Sequence, residues 1–349
     1  MREKAEIIKE RILGYIKHNP ECSSQEILSG LNLKIGTTTV KRYLQDLIQD
    51  ELIVPTGKNK ARRYNISLSY DVLRSIDLDE YFAKEIDERV IQRTYNSQLI
   101  KETLQKITIF TTREIETLDK LLHVFKSNTS KLSKEEYNNE MERLAIDLSW
   151  KSSQIEGNTY TLLETELLLK EKQTASGRTK DEATMLLNHK EALDFILSQP
   201  NYVLPLSISR IEDIHSLLVK DLNISRNIRN SRVGISGTNY KPLDNAFQIR
   251  EALENMCELI NSKTNVFEKA LLALVLISYI QPFSDGNKRT ARIISNALLI
   301  NNHYCPISFR TVGSIEYKKA MLVFYEQTNI NPFKKVFMDQ FNFAVNTYF

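Results

Sequence analysis

The sequence predicts a mainly α-helical protein with small β elements. Only 10 glycines and 8 prolines occur among 349 residues, so few positions interrupt helices. Leucine, isoleucine, lysine, glutamate and asparagine dominate the composition, and leucine, lysine and glutamate favour helices. Hydrophobic residues make up 42% of the chain. That share is enough for buried cores and argues against a disordered chain.

The length predicts two or three domains. The three cysteines, Cys22, Cys257 and Cys305, lie far apart. No pair of them has metal-binding spacing, and their odd number argues against a disulfide framework. The longest apolar run, residues 270–280, is too short to cross a bilayer. We therefore expect a soluble, reducing, cytoplasmic setting without a membrane partner.

Residues 1–68 are predicted to form three helices and a strand pair. Apolar residues recur at helical spacing over residues 5–16, and Asn19-Pro20 ends that helix. Ser24 has the residue type of an N-cap for a short second helix, and a third helix is expected over residues 37–50. A short strand pair follows, formed by residues 52–54 and 63–66. The turn between them carries a basic tip formed by Lys58, Lys60 and Arg62.

The basic excess of the chain is concentrated at its N-terminus. The first 66 residues contain 12 Lys/Arg and 8 Asp/Glu, a balance of +4, which leaves 35 and 36 for the remainder. Three small helices and a basic hairpin resemble a winged helix-turn-helix domain. This resemblance implies DNA contacts by the third helix and the hairpin tip. The groove-facing set would be Thr37, Thr38, Thr39, Lys41 and Arg42.

A protein-interaction or dimerisation module is the alternative for this domain, because its charge excess is modest and its third helix also carries Asp46 and Asp50. The following residues 69–134 contain charged helical segments with few apolar positions. They are predicted to form a helical connector.

Ser133 and Glu136 form a capping-box pattern that begins the next helix, which we expect to run to Ile155. Gly157 suits the left-handed backbone that ends a helix. Glu156 would therefore lie at the negative end of the helix dipole. That position is unfavourable by about 0.3–1 kcal/mol unless a cation compensates it. Taken alone, this residue could equally be a solvated glutamate.

Residues 229–243 show a different pattern. The stretch 232–240 alternates and carries two glycines, which predicts a β-hairpin, and Pro242 ends it. Helical spacing returns over residues 248–261. A single hairpin in a helical domain is either a binding element or a plain connection.

Residues 281–292 are the most informative stretch of the chain. They read Gln-Pro-Phe-Ser-Asp-Gly-Asn-Lys-Arg-Thr-Ala-Arg and lie between two apolar runs. This pattern predicts helix, tight loop, helix. The N–H groups and dipole of the second helix favour an anion in the loop. Arg289 and Arg292 share a helical face, and Asp285 could hold a divalent cation against phosphate oxygens. The stretch therefore predicts a metal–polyphosphate cradle.

This stretch resembles the Fic-domain signature, His-x-Phe-x-acid-Gly-Asn-(Gly or Lys)-Arg-x-x-Arg, and every specified position after the first matches. Residues 152–158 are similar to the inhibitory motif of that family. The resemblance implies a Fic domain over residues 135–349, with an inhibitory helix at about 135–158 and a flap at about 229–243. An inhibitory helix before the core is the arrangement of the second class of the family.

The resemblance also implies an activity and roles for individual residues. Most characterised Fic proteins transfer AMP from ATP to a hydroxyl of a target protein, which docks at the flap. Asp285 would hold Mg²⁺. Glu156, with Ser152 and Gly157, would pair with Arg292 and compete with ATP. The expected ATP-binding residues are Gly286, Asn287, Lys288, Arg289 and Arg292.

Two positions depart from the family pattern. Gln281 stands where active members have the general-base histidine, and a primary amide cannot take up a proton near neutral pH. Loss of a general base costs about 10²–10⁴ in rate. Lys288 stands where AMP-transferring members commonly have glycine. A lysine also occurs there in a branch whose members resemble phosphoryl-transfer enzymes, but Gly286 fits the AMP-transferring loop better. The remaining nearby histidines, His189, His215 and His303, are expected to be structural or exposed.

Four interpretations follow for the whole chain. The first is an autoinhibited ATP-binding protein of the AMPylation type with weak or no transfer. The second is a working AMP transferase that uses another base. The third is an enzyme of AMP removal, and the fourth is a nucleotide-responsive DNA-binding transcription regulator without transferase activity. A homodimer is plausible in each case.

Overall fold

The computed structural model describes residues 2–32 and 35–349, with side chains from Ala5 onward. The described chain is mainly helical, which confirms the fold class predicted from the sequence. The first eight α-helices are α1 Arg2–His18, α2 Ser24–Gly30, α3 Thr37–Gln49, α4 Tyr70–Leu73, α5 Leu78–Ala83, α6 Leu104–Lys106, α7 Thr112–Thr129 and α8 Lys134–Ile155. The remaining α-helices are α9 Leu162–Glu171, α10 Lys180–Ser198, α11 Ile208–Leu218, α12 Ala246–Ser262, α13 Val266–Ile280, α14 Asn287–Asn301, α15 Ser314–Gln327 and α16 Asn331–Tyr348.

The chain folds as two compact units. The N-terminal unit comprises the residues up to Ser75 together with Lys106–Ile115. The C-terminal unit comprises Ile76–Gln105 and Glu116–Phe349. The connector expected at 69–134 therefore divides between the two units.

The N-terminal unit contains α1, α2 and α3, followed by strands β1 (Ile53–Thr56) and β2 (Arg63–Ile66). The strands pair antiparallel, with Ile53 opposite Ile66. This order of elements is the predicted one. Its helices share a core because each presents an apolar stripe to the others. The buried side chains include Ile12, Ile16, Ile27, Val40, Leu44 and Leu47.

The cap of α2 differs from the prediction by one residue. Ser23, not Ser24, is the N-cap, because its hydroxyl accepts the hydrogen bond of the Glu26 N–H. The Glu26 carboxylate accepts the Ser23 N–H in return, 2.6 Å away. Only Ser23 stands three residues before this glutamate, so it alone completes the capping box.

The C-terminal unit is built around α13. Residues Ala270–Ile280 of this helix are all completely buried. An apolar helix surface on every side requires neighbours on every side. Helices α12, α14, α15 and α16 supply them. Helices α8, α10 and α11 pack against α14. Among the described residues, no helix is long and apolar enough to cross a membrane.

The hairpin predicted over residues 229–243 is not paired as strands. The segment, called the flap loop below, contains no strand, and the two-stranded sheet lies at residues 53–66 instead. The backbone of the flap loop bonds elsewhere. The Arg229 N–H donates to Pro282 O at 3.0 Å, and the Lys241 N–H donates to Arg93 O at 2.9 Å. These external bonds use the groups that a hairpin ladder would need.

His189 lies on α10 and is completely buried. Neither of its ring nitrogens has a hydrogen-bond partner in the described structure. Burial lowers the pKa of this imidazole well below 6.5, and the charges of Arg292 and Arg289 lower it further. The folded protein therefore holds His189 neutral, whereas the unfolded chain protonates it below that pH. Stability is lost as the pH falls below 6.5.

Replacement His189→Leu should weaken this pH dependence. The free energy of unfolding should fall less steeply between about pH 6.5 and 5 than in the parent protein, by up to ~1.4 kcal/mol per pH unit, because one proton fewer is taken up on unfolding. Urea titrations at several pH values measure the slope. The same comparison at about pH 8 isolates the packing change. Equal slopes of unfolding free energy against pH for the two proteins would contradict the buried neutral state of His189.

Candidate functional site

The loop between α13 and α14 is the centre of the site. Gln281 ends α13 with a left-handed backbone, φ 52°. Gly286 precedes α14 with φ 79°. A Cβ at Gly286 would lie 3.3 Å from both His215 Nε2 and Val219 Cγ1. Both the backbone conformation and the surrounding space therefore require glycine at this position. We call residues 281–286 the signature loop.

Asn287 holds the signature loop in shape. Its Oδ1 accepts the Phe283 N–H at 2.8 Å. Its Nδ2 donates to Phe283 O at 2.8 Å and to Gln281 Oε1 at 3.0 Å. Asn287, which the sequence assigned to anion binding, therefore also stabilises the signature loop through its side chain.

Phe283 anchors the loop in the core. It is completely buried and stacks on His215, with ring centroids 3.6 Å apart. His215 Nε2 lies 3.0 Å from Asp285 O. Burial lowers the pKa of His215 to about 4, so the ring is neutral at neutral pH. Because a carbonyl oxygen can only accept, Nε2 carries the proton. His215 is therefore a second support of the loop, a structural role for which the sequence indicated no specific partner.

Gln281 has both ends of its side-chain amide engaged. Nε2 donates to Ser278 O at 2.7 Å, and Oε1 accepts from Asn287. Its backbone oxygen accepts Arg229 Nε at 2.7 Å. The orientation of this amide is fixed from both sides. No group of the side chain can take up a proton near neutral pH.

Arg292 joins α14 to the end of α8. The residue is completely buried. Its Nε donates to Ser152 Oγ at 2.8 Å, and its Nη2 donates to Ser152 O at 2.9 Å. Nη2 also lies 2.8 Å from Glu156 Oε1. The ring of Tyr317 lies 5.3 Å from the guanidinium carbon. A buried guanidinium therefore supplies the cation that the C-terminal end of α8 requires.

Lys288 provides a second cation for Glu156, with Nζ 3.1 Å from Oε2. The sequence interpretation assigned Lys288 to the anion-binding turn only and missed this contact. Burial would raise the pKa of the Glu156 carboxyl, but the attraction and hydrogen bonds of Arg292 and Lys288 hold it at about 2. The side chain keeps 20% exposure. Glu156 is therefore an ionised carboxylate held between two cations.

Arg289 and Asp285 form a looser pair. Arg289 is 1% exposed, and its Nη2 lies 3.5 Å from Asp285 Oδ2. The Asp285 side chain is 65% exposed. Its Oδ1 accepts the Gly286 N–H at 2.6 Å. The Asp285 carboxylate is thus oriented by the Gly286 N–H and remains largely exposed to solvent.

A cleft of about 350 Å³ opens beside the signature loop. The flap loop, α15 and the signature loop form its walls. Glu156 and Lys288 belong to its lining, whereas Arg289 and Arg292 do not. The lining includes Val233, Gly234, Ile235, Ser236, Gln281, Asp285, Gly286, Tyr317, Met321, Leu322 and Tyr325.

The residues of this site fit a polyphosphate. Among the described residues, the buried Nη1 of Arg292 and Nε of Arg289 have no hydrogen-bond partner. Helix α14 has Gly286 at its N-cap position and therefore no side-chain cap. An anion with several oxygens can bind donors of both kinds.

The site fits Mg²⁺ only together with phosphate. The described part of the chain contains no group of three or more histidine, cysteine, aspartate or glutamate side chains that could hold a metal ion. Mg²⁺ commonly binds through one or two carboxylates and the phosphates of a nucleotide. Asp285, with its open carboxylate, matches the protein share of such a site.

Several curated relatives of this chain carry the name "Protein adenylyltransferase Fic". The protein of Aedes aegypti is 24% identical over 352 aligned residues, which cover 93% of this chain and 66% of the relative. The protein of Drosophila willistoni is 26% identical over 188 residues, which cover 53% and 38%. The alignments thus span between 38% and 66% of the length of these curated relatives.

Solved structures share the fold. One is "Fic-1 (aa134 - 508)" of C. elegans, with a TM-score of 0.58, 18% identity, and coverage of 67% of this chain and 71% of that one. Another is a Fic domain containing signaling protein from Bacteroides thetaiotaomicron, with a TM-score of 0.57, 20% identity, and coverage of 66% and 95%. Residues 205–299, which include the signature loop, match the model of the Fic/DOC family. The chain therefore contains a Fic/DOC domain.

Proposed function

We propose that this protein binds ATP as Fic proteins of the adenylyltransferase type do, that Glu156 inhibits it, and that Gln281 impairs its transfer of AMP. The observation that carries the proposal is the contact of Glu156 with Arg292 and Lys288 beside the signature loop. Three cations, a helix N-terminus and an open carboxylate converge there.

The signature region would hold the phosphates through its cations and through the N-terminal N–H groups of α14. The assigned residues are Gly286, Asn287, Lys288, Arg289 and Arg292. Asp285 would hold the Mg²⁺ ion. The metal, when bound, neutralises phosphate charge. The flap loop would form the wall along which a segment of a target protein enters the cleft.

Glu156 would compete with ATP for the same cations. Its two oxygens face Arg292 and Lys288 separately, at 2.8 and 3.1 Å. Charged hydrogen bonds of this kind contribute about 1.5–3 kcal/mol when they are shielded from water. A phosphate that binds both cations in place of Glu156 must replace both contacts. Ser152 and Gly157 support the inhibitory end of α8, the first by its two bonds to Arg292 and the second by the left-handed turn at φ 103°.

Replacement Gln281→His should restore AMP transfer, because the ring can accept the proton of the attacking hydroxyl. Label from the α-phosphate of ATP should appear on the protein itself or on added proteins, about 10²–10⁴ times faster than in the parent chain. The measurement is made in a Glu156→Gly background. Gln281→Asn, which keeps the amide, is the control and should stay silent. Strong labelling by the unmodified chain would contradict the impairment.

Replacement Glu156→Gln should strengthen ATP binding, because the neutral amide no longer competes for Arg292 and Lys288. Calorimetry with ATP and Mg²⁺ should show an affinity about tenfold higher or more. Glu166→Gln, which changes an exposed partner of Lys170, is the matched control and should leave the affinity unchanged. Equal affinities for Glu156→Gln and the parent chain would show that this carboxylate does not inhibit.

A second candidate function rests on the surface of the N-terminal unit. Thr38, Lys41 and Arg42 are exposed on α3, and Lys58 and Lys60 are exposed at the turn between the strands. Thr39 and Arg62 are half-buried. Two exposed cations on a helix beside a basic turn suit duplex DNA. On this proposal the protein is a nucleotide-responsive transcription regulator without transferase activity.

The DNA proposal predicts a steep loss of duplex affinity with added salt. The double replacement Lys41→Ala and Arg42→Ala should reduce the slope of log affinity against log salt by about 2, since two phosphate contacts are lost. Fluorescence anisotropy with the full chain measures the slope. The control is Lys17→Ala. Lys17 is an exposed residue of α1 that pairs with Asp71. Absence of binding at low salt would exclude this function.

A further inference from the structure

Residues 76–97, which we call the strap, pass along two walls of the cleft. The sequence assigned them only to a connector. They belong to the C-terminal unit. The Gln92 N–H donates to Glu326 O on α15 at 2.8 Å, and Arg93 O accepts the Lys241 N–H of the flap loop at 2.9 Å. The strap therefore touches both α15 and the flap loop.

Arg89 of the strap joins these two walls with one side chain. Its Nη1 lies 3.1 Å from Glu326 Oε1, and its Nη2 donates to Gly237 O at 2.9 Å. Both charged side chains are buried, with 3% and 0% exposure. Glu326 directly follows Tyr325, and Gly237 directly follows Ser236. Tyr325 and Ser236 both line the cleft.

Further contacts secure the same end of the flap loop. Asp87 Oδ1 accepts from Asn239 Nδ2 at 2.9 Å. The Tyr81 hydroxyl donates to Glu326 Oε2 at 2.6 Å, which fixes the carboxylate that Arg89 binds. The guanidinium of Arg89 also lies 5.0 Å from the ring centre of Phe82. The side chain of Arg89 is thus held on several sides.

The opposite end of the flap loop is held by the signature loop. Arg229 donates its N–H to Pro282 O at 3.0 Å and its Nε to Gln281 O at 2.7 Å. The stretch that lines the cleft, residues 233–236, lies between these two anchors. Each anchor is an arginine that binds a backbone oxygen. The position of this wall therefore depends on Arg229 at one end and on Arg89 at the other.

A buried ion pair is weak evidence for stability, because desolvation offsets much of its attraction. Arg89 contributes here mainly through the fixed geometry of its hydrogen bonds. A planar guanidinium presents several donors at fixed angles and can bind a carboxylate and a carbonyl oxygen at once. A lysine ammonium at the same place would keep the charge near Glu326. It would lose the rigid fork that also reaches Gly237.

We propose that Arg89 is a positioning residue that sets the separation between the flap loop and α15, and so the place at which a target segment presents its hydroxyl in the cleft. The use of the cleft by a target rests on the proposed function. The link between the two walls does not depend on it.

Hydrogen exchange of single backbone amides tests the link in the full chain. In Arg89→Lys, the Lys241 amide should exchange about tenfold faster, because the flap loop opens locally at the strap end. The Arg229 amide, bound at the other end, should keep its rate. Arg232→Lys is the matched control, since Arg232 is an exposed arginine of the same loop paired with Asp244. It should change neither rate.

Two outcomes would overturn the proposal. One is an unchanged rate at Lys241. The other is an equal acceleration at Lys241 and Arg229, which would mean general destabilisation. If Arg89→Lys does not fold, Arg89→Met combined with Glu326→Met removes both buried charges, and the same difference between the two amides is expected.

Transfer assays separate this proposal from the proposed function. In the Gln281→His, Glu156→Gly background, Arg89→Lys should raise the KM for the target protein several-fold and leave the KM for ATP unchanged. A change in the KM for ATP alone would contradict a role in target positioning. Loss of all ATP binding in the background itself would refute the proposed function, and the amide rates would still decide the link.

Discussion

The buried charge of Arg292 is the constraint on which the site depends. A guanidinium with no exposed surface must find anions or carbonyl oxygens inside the protein, because an unpaired buried charge is strongly destabilising. The last turn of α8 supplies them through Ser152 and Glu156. Helix C-termini leave carbonyl groups without partners. The arginine and the helix end therefore satisfy each other, and α8 must end beside α14.

This interaction also determines which agent can open the site. The pKa of Glu156 is held at about 2, below its usual 4.5. A depressed carboxyl pKa contributes stability above about pH 4.5, which is lost only as the pH falls toward 2. Protons therefore do not release the carboxylate at the pH values of ordinary growth. On the proposed function, release requires a stronger anion or a movement of α8, and a polyphosphate has the charge to compete for both cations.

Local signals made much of this structure predictable. The capping box at Ser133, the left-handed turn at Gly157 and the apolar surface of α13 are each fixed by residues close in sequence. Partner choice over long distances was not predictable. Arg89 and Glu326 stand 237 residues apart. Neither the residues around Arg89 nor those around Glu326 indicate that these two side chains form a pair.

The flap loop shows that a local sequence pattern can also predict a structure that the folded chain does not form. Alternation and two glycines predict a hairpin when the segment is considered alone. In the folded chain its amides at Arg229 and Lys241 bond to the signature loop and to the strap. Tertiary partners thus replaced the local ladder. The contact of Lys288 with Glu156 was not predicted for a related reason. The match of Lys288 to the family signature already assigned a role to this residue.

On the proposed function, Gln281 decides whether this geometry performs a reaction or only holds a ligand. The side-chain oxygen accepts one hydrogen bond from Asn287, and an amide oxygen has a second lone pair. Gln281 can orient a hydroxyl but cannot remove its proton. The cations, the helix end and the fixed walls of the cleft are independent of that proton. On the proposed function, binding is therefore the part that this sequence preserves most completely, and any transfer must take its base from another group or from solvent.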